Sequence, residues 1–187
     1  MDKIDKLLNH KSYIAALDKI TEYEINREFC KHGIEHLLDV ARIAYIINLE
    51  EHLQIPKEII YAVALLHDIG RGAQYSVGTP HNEASVEISR VILDEIGFTD
   101  IEQNQILNAI HHHGNHGVQH GKYGNHYSNQ GNHENYGNNR KEFTHNIEDN
   151  LCYIMNHADQ LSRTCFHCSA YEQCYWNISK KNKTIYY

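Results

Sequence analysis

The chain has 187 residues, enough for one domain with a substantial core. Its formal charge of −7, with histidine neutral, argues against broad nucleic-acid binding, and its apolar residues (41%) include no run of membrane-spanning length. The opening MDKIDKLLNHKSY carries charges where a secretion signal would be apolar, so the expectation is a cytoplasmic protein without a membrane partner.

In chain order, Ile4, Leu7, Leu8, Ile14, Leu17 and Ile20 recur at helical spacing and predict a first helix. A second runs from about Ile34 to Leu49, with Leu37, Leu38, Ala41, Ala44 and Tyr45 on one side. Pro56 opens a third, at a position where its missing N–H does no harm. That helix passes through Ile59, Ile60, Val63 and Leu66 to His67-Asp68, where Gly70 and Gly72 are expected to stop it. Pro80 starts a fourth helix and Gly97 ends it; Ile101, Ile106, Leu107 and Ile110 mark a fifth; Leu151, Ile154, Met155, Ala158 and Leu161 mark a sixth. No strand-like alternation of useful length is present. The expected fold class is all-α, a compact helical bundle formed by a single domain over 1–187.

Residues 114–146 break this pattern. They repeat Gly-Asn-His at 114, 124 and 131, hold five of the chain's 16 histidines, and contain almost no aliphatic residues. Such a segment cannot bury enough surface to offset its ordering entropy, so it reads as a flexible low-complexity insertion. Its histidines bind metal loosely or merely space the flanking helices.

Certain His and Asp residues fall instead on the apolar helices. His36 precedes Leu37-Leu38, His67-Asp68 ends the third helix, His81 begins the fourth, His111, His112 and His113 end the fifth, and Asp159 follows Ala158 in the sixth. Taken singly, each can be an ordinary hydrogen-bonded core or surface residue; His32, one turn before His36, reads as a surface residue or as a residue that supports the ligands from behind. Together, neutral imidazoles and carboxylates are ligands that first-row divalent metals accept.

The order His, His-Asp, Asp on a helical chain resembles the HD-domain superfamily of metal-dependent phosphohydrolases, over about residues 25 to 165 with the insertion interrupting. His36 in EHLLDVARIA, the His67-Asp68 pair in HDIGR and Asp159 in ADQLSR carry the likeness. His81 in HNEASVEIS and His113 in AIHHHG, with His112 as the close alternative, resemble the further positions of members that hold two metals. The six-position pattern is most similar to the branch containing bacterial diadenosine tetraphosphate hydrolases; the long insertion before Asp159 departs from it.

This resemblance implies one or two divalent ions (Fe, Mn, Zn, Ni or Mg not distinguished) held by His36, His67, Asp68, His81, His113 and Asp159. It implies cleavage of a phosphoester or phosphoanhydride by metal-activated water. The substrate would be a nucleotide or another small phosphorylated metabolite, a dinucleoside polyphosphate among them. Asp68 is expected to bridge the ions. Arg71 is expected to act in catalysis and substrate binding, or else to cap the preceding helix, and Arg163 to bind substrate or form a salt bridge.

The segment 165–176 places Cys165, Cys168 and Cys174 close together, and Cys30 can supply a fourth thiolate. The alternatives are a structural zinc or iron–sulfur site and a set of reduced, partly buried thiols. Two rivals to an enzyme stay open: a non-catalytic metal- or nucleotide-binding regulatory module, and a metal-handling protein that works through its His-rich loop. The helical exterior permits a homodimer.

Overall fold

The structure is a computed structural model and describes residues 1–113, 143 and 146–187. The Gly/Asn/His insertion lies outside the described residues except for Phe143 and Asn146. Eight α-helices are described: α1 (Asp2–Leu8), α2 (Lys11–Tyr23), α3 (Ile34–Glu50), α4 (Lys57–Leu66), α5 (Arg71–Val77), α6 (His81–Ile96), α7 (Asp100–His112) and α8 (Ile147–Leu161). No strand occurs among the described residues, and no helix among them is long and apolar enough to cross a membrane.

The centre of the bundle is α4. Ile59, Ile60, Ala62, Val63, Ala64, Leu65 and Leu66 are all buried, as expected of a helix apolar on every side. It packs against α3, α7, α8 and α1. The other helices each bury a stripe, such as Leu37, Val40, Ala41, Ala44 and Ile47 of α3 and Leu151, Ile154, Met155 and Ala158 of α8. Both α3 and α4 therefore lie against α8, while α6 pairs with α7.

The start of the chain differs from the single expected helix. Asn9 ends α1, and the His10 Nδ1 accepts the Ser12 N–H at 3.2 Å to cap α2. The two short helices bury Leu7 and Ile20, while Leu8 and Ile14 stay exposed.

The glycines after His67-Asp68 also act differently from the expectation. The chain does not stop at Gly72: it turns through 67–70 and re-enters a helix at Arg71, with buried Gly72 inside α5. A Cβ at Gly72 would press on the Lys19 side chain of α2, so this glycine lets α2 and α5 approach. The stop comes at Gly78, with φ +80° in the left-handed region that glycine adopts without strain.

Farther along, the element boundaries match the sequence signals. Pro56 and Pro80 precede α4 and α6, and left-handed Gly97 terminates α6. Thr99 and Glu102 form a reciprocal capping box at the start of α7.

Candidate metal centre

Five helix ends meet over Asp68. His36 comes from the first turn of α3, His67 and Asp68 from the turn after α4, His81 from the first residue of α6, His113 from the residue after α7 and Asp159 from the last turn of α8. Asp68 is only 1% exposed and His67 is fully buried. One Asp68 oxygen, Oδ2, lies 3.4 Å from His67 Nε2 and 3.9 Å from His36 Nε2. The other, Oδ1, lies 3.5 Å from His81 Nε2 and 4.0 Å from His113 Nε2. The Asp159 oxygens lie 3.3 Å from His36 Nε2 and 3.8 Å from His113 Nε2.

All six expected positions are thus brought together. The two faces of Asp68 divide them: His36, His67 and Asp159 on one side, His81 and His113 toward the other. Of the two adjacent histidines, it is His113 that reaches Asp68; the His112 Nδ1 donates back to the Asn108 carbonyl at 2.8 Å.

Gly70 makes this convergence possible. A Cβ there would collide with the His81 carbonyl and the Ser85 backbone nitrogen. Without one, the Gly70 N–H donates to Ser85 Oγ at 2.8 Å, and the first turn of α6 seats directly on the turn that carries Asp68.

The donor set fits a divalent ion. The Nε2 atoms of His36, His67 and His81 are buried without a hydrogen-bond partner, a costly arrangement for ring nitrogens with nothing to bind. His67 Nδ1 donates to the Ala64 carbonyl at 2.7 Å, which turns its Nε2 toward the carboxylates, the orientation that metal-ligating imidazoles take. Ligand atoms of His36, His67 and Asp159 lie within 4.8 Å of one another, as do those of His67, Asp68 and His113. Ligands about 2.1 Å from an ion sit about 3.0–3.4 Å apart in octahedral or tetrahedral geometry, so little movement closes either set on a cation.

The electrostatics agree with that chemistry. Burial pushes His81 down to about 4 and His113 down to about 3, so both are neutral imidazoles near pH 7. Burial also opposes charge on His67, but Asp68 and Asp159 outweigh it and raise its pKa. Burial disfavours both carboxylates, yet His67 and Arg71 hold Asp68 well below the usual range, and Arg163 and His36 do the same for Asp159. Both acids are therefore anionic.

Arg71 and Arg163 are engaged with those acids. Arg71 Nε donates to Asp68 Oδ1 at 3.0 Å and its Nη2 to Oδ2 at 3.4 Å. Arg163 Nη2 lies 3.0 and 3.2 Å from the two Asp159 oxygens, with Trp176 stacked on its guanidinium. The four cysteines lie elsewhere, around a separate cavity.

His32 takes the supporting place behind the ligands, one of its two expected positions. His32 is 3% exposed and its Nε2 is 3.9 Å from Asp68 Oδ2. Its Nδ1 donates to Glu24, which also receives the His32 backbone N–H and the Tyr75 hydroxyl. Those bonds, and the charge of His32, hold buried Glu24 down at about 2 against the effect of burial. The spacing of His32 one turn before His36 was the available signal, but nothing in a loop sequence announces a buried acid eight residues upstream.

Comparison with known proteins accords with this geometry. The chain is 38% identical to an uncharacterized protein of Clostridium beijerinckii over 187 residues, the full length of both. No solved structure matches it. The HD domain family model matches residues 33–164, a span that contains His36, His67, Asp68, His81, His113 and Asp159. The chain belongs to the HD domain family, whose members are in general metal-dependent hydrolases that bind divalent ions.

Proposed function

We propose that this protein is a phosphohydrolase that cleaves a small phosphorylated metabolite, with a nucleotide as the favoured substrate class and a dinucleoside polyphosphate as one member of it. The observation that supports this most is the pair of ligand sets sharing Asp68: both carboxylate oxygens face imidazole Nε2 atoms, three of which are buried without hydrogen-bond partners. His36, His67, Asp68 and Asp159 would hold one ion, and Asp68, His81 and His113 a second. A bound divalent ion supplies Lewis-acid polarisation of a phosphoryl oxygen and makes water acidic enough to ionise near pH 7.

The chain's own groups supply the rest. Asp68 and Asp159 stay anionic in a buried site, and the neutral His81 and His113 keep their lone pairs free. The Glu24–His32 pair fixes a ring nitrogen opposite Asp68 Oδ2. Arg71 is 18% exposed at its side chain, so it can turn from Asp68 to a phosphate once a cation neutralises that acid, offering a forked donor to developing charge. No serine, threonine or cysteine is needed as a nucleophile.

The test is phosphate release from p-nitrophenyl phosphate, mononucleotides and dinucleoside polyphosphates, in metal-free buffer and with Mn, Fe, Ni, Zn or Mg restored. The expected result is metal-dependent hydrolysis of at least one nucleotide, reduced at least about 100-fold in Asp68→Ala. Metal binding without turnover of any phosphorylated compound would favour the non-catalytic regulatory module instead.

A further inference from the structure

The segment from Ser162 to Tyr187 is an unusual piece of folded chain. Beyond Leu161 only Ala170 and Asn182 are buried, and its helical structure is two short 3-10 turns, Cys165–His167 and Ile178–Lys180. Apolar burial cannot offset the ordering of so many residues. Some hydrogen bonds help: Asn182 Nδ2 donates to the carbonyls of Gln160 at 2.8 Å and Arg163 at 2.7 Å. Segments this poor in core ordinarily depend on a covalent or metal staple.

The material for one is present. Cys165, Cys168 and Cys174, in a C-x2-C-x5-C arrangement, and the distant Cys30 all line one cavity of about 270 Å³. All four are free thiols, and none is fully exposed. Cys30 is held by its own loop, where its carbonyl accepts the Arg27 Nε–H at 2.8 Å. The Cys168 N–H bonds to the Cys165 carbonyl at 3.1 Å and folds the first two cysteines into one tight turn.

Their spacing discriminates between metals. Tetrahedral zinc with four thiolates about 2.3 Å away requires sulfurs about 3.8 Å apart. Among the described residues, the groups whose ligand atoms lie mutually within 4.8 Å are both in the His/Asp cage, and no three cysteines form one. The four cysteines line one cavity, and no three of them come within that reach of one another. An iron–sulfur cluster is the thiolate-bound group that occupies such a space, because its irons are spread over an inorganic core and each takes one cysteine.

We propose that Cys30, Cys165, Cys168 and Cys174 hold a four-iron iron–sulfur cluster, a second metal centre that staples the C-terminal segment to the loop before α3. The cluster ties together two stretches that flank the cage: Cys30 is two residues before His32, and Cys165 two residues after Arg163. Its assignment is independent of whether the cage hydrolyses phosphate.

The experiment uses the full chain purified without oxygen, then incubated with ferric iron, sulfide and excess thiol, which reduces part of the iron to the mixed ferrous–ferric level of a four-iron cluster, and desalted. The expected product holds about four iron and four acid-labile sulfide per chain, with the broad visible absorption of sulfide-to-iron charge transfer. Iron in the His/Asp cage brings no sulfide, so the two centres are read separately. In Cys168→Ser/Cys174→Ser the sulfide and the visible band are lost, while His81→Ala retains both. If the double variant does not fold, the sulfide content of the wild-type chain decides by itself. Failure to retain sulfide, or one zinc held against reconstitution, overturns the assignment.

Discussion

At Gly70, a single hydrogen in place of a side chain decides whether the second half of the ligand set can form. The reason is contact with backbone, not dihedral freedom: a methyl group would meet the His81 carbonyl and the Ser85 nitrogen, and neither can move without displacing α6. Gly70→Ala is expected to cost about 1–3 kcal/mol in urea unfolding, the range for overpacking a tight interior. It also moves His81 from Asp68, so the variant loses metal from the His81/His113 side first. An unchanged stability and metal content would contradict this. At this scale the sequence was informative about identity and poor about partners. The six His and Asp positions were legible through their resemblance to the HD-domain pattern; helical periodicity by itself placed them on apolar helices without separating a ligand from an ordinary core residue. That Arg71 grips Asp68 and Arg163 grips Asp159 was not legible, since an arginine near a helix end serves a carboxylate, a carbonyl or a substrate equally well.

At the level of elements, periodicity located the large helices and missed the small ones. The regular stripes of α3, α6, α7 and α8 are long enough to register, and proline and glycine marked several of their ends. The first two helices share one apolar phase, so the break at Asn9-His10 is hidden; it rests on a cap made by a histidine ring. The seven residues of α5 bury only Gly72 and present no stripe at all. Its formation follows from packing against α2 and α6, a tertiary effect that overrides the poor helix propensity of glycine. This hidden element matters to the site, because α5 delivers Arg71 to Asp68 and Tyr75 to Glu24.

For the molecule as a whole, the buried charges make folding pH-dependent in the absence of metal. His81, His113 and His32 have folded pKa values below the ordinary 6.5. As pH falls through 6.5 the unfolded chain takes up protons that these sites refuse, so stability drops until their lowered pKa values, about 4 for His81 and about 3 for His113, are passed. His67 runs the other way: its contribution is complete below 6.5 and is lost as pH rises through its raised pKa. The depressed acids Glu24, Asp68 and Asp159 add a second loss, below about pH 4. Three histidines outweigh one, so metal-stripped protein should show a lower urea midpoint at pH 5 than at pH 7. An equal or higher midpoint at pH 5 would mean that the cage histidines are not buried as described.

The most direct measurement is manganese content after equilibrium dialysis of wild-type protein and Asp68→Ala, each shown by circular dichroism to be folded. Manganese favours oxygen and imidazole over thiolate, so it reports the cage and not the cysteines. The account predicts one or two ions per wild-type chain and none in Asp68→Ala, because that carboxylate is common to both ligand sets. Equal manganese in the two proteins, or none in the wild type with any divalent ion tried, would contradict it.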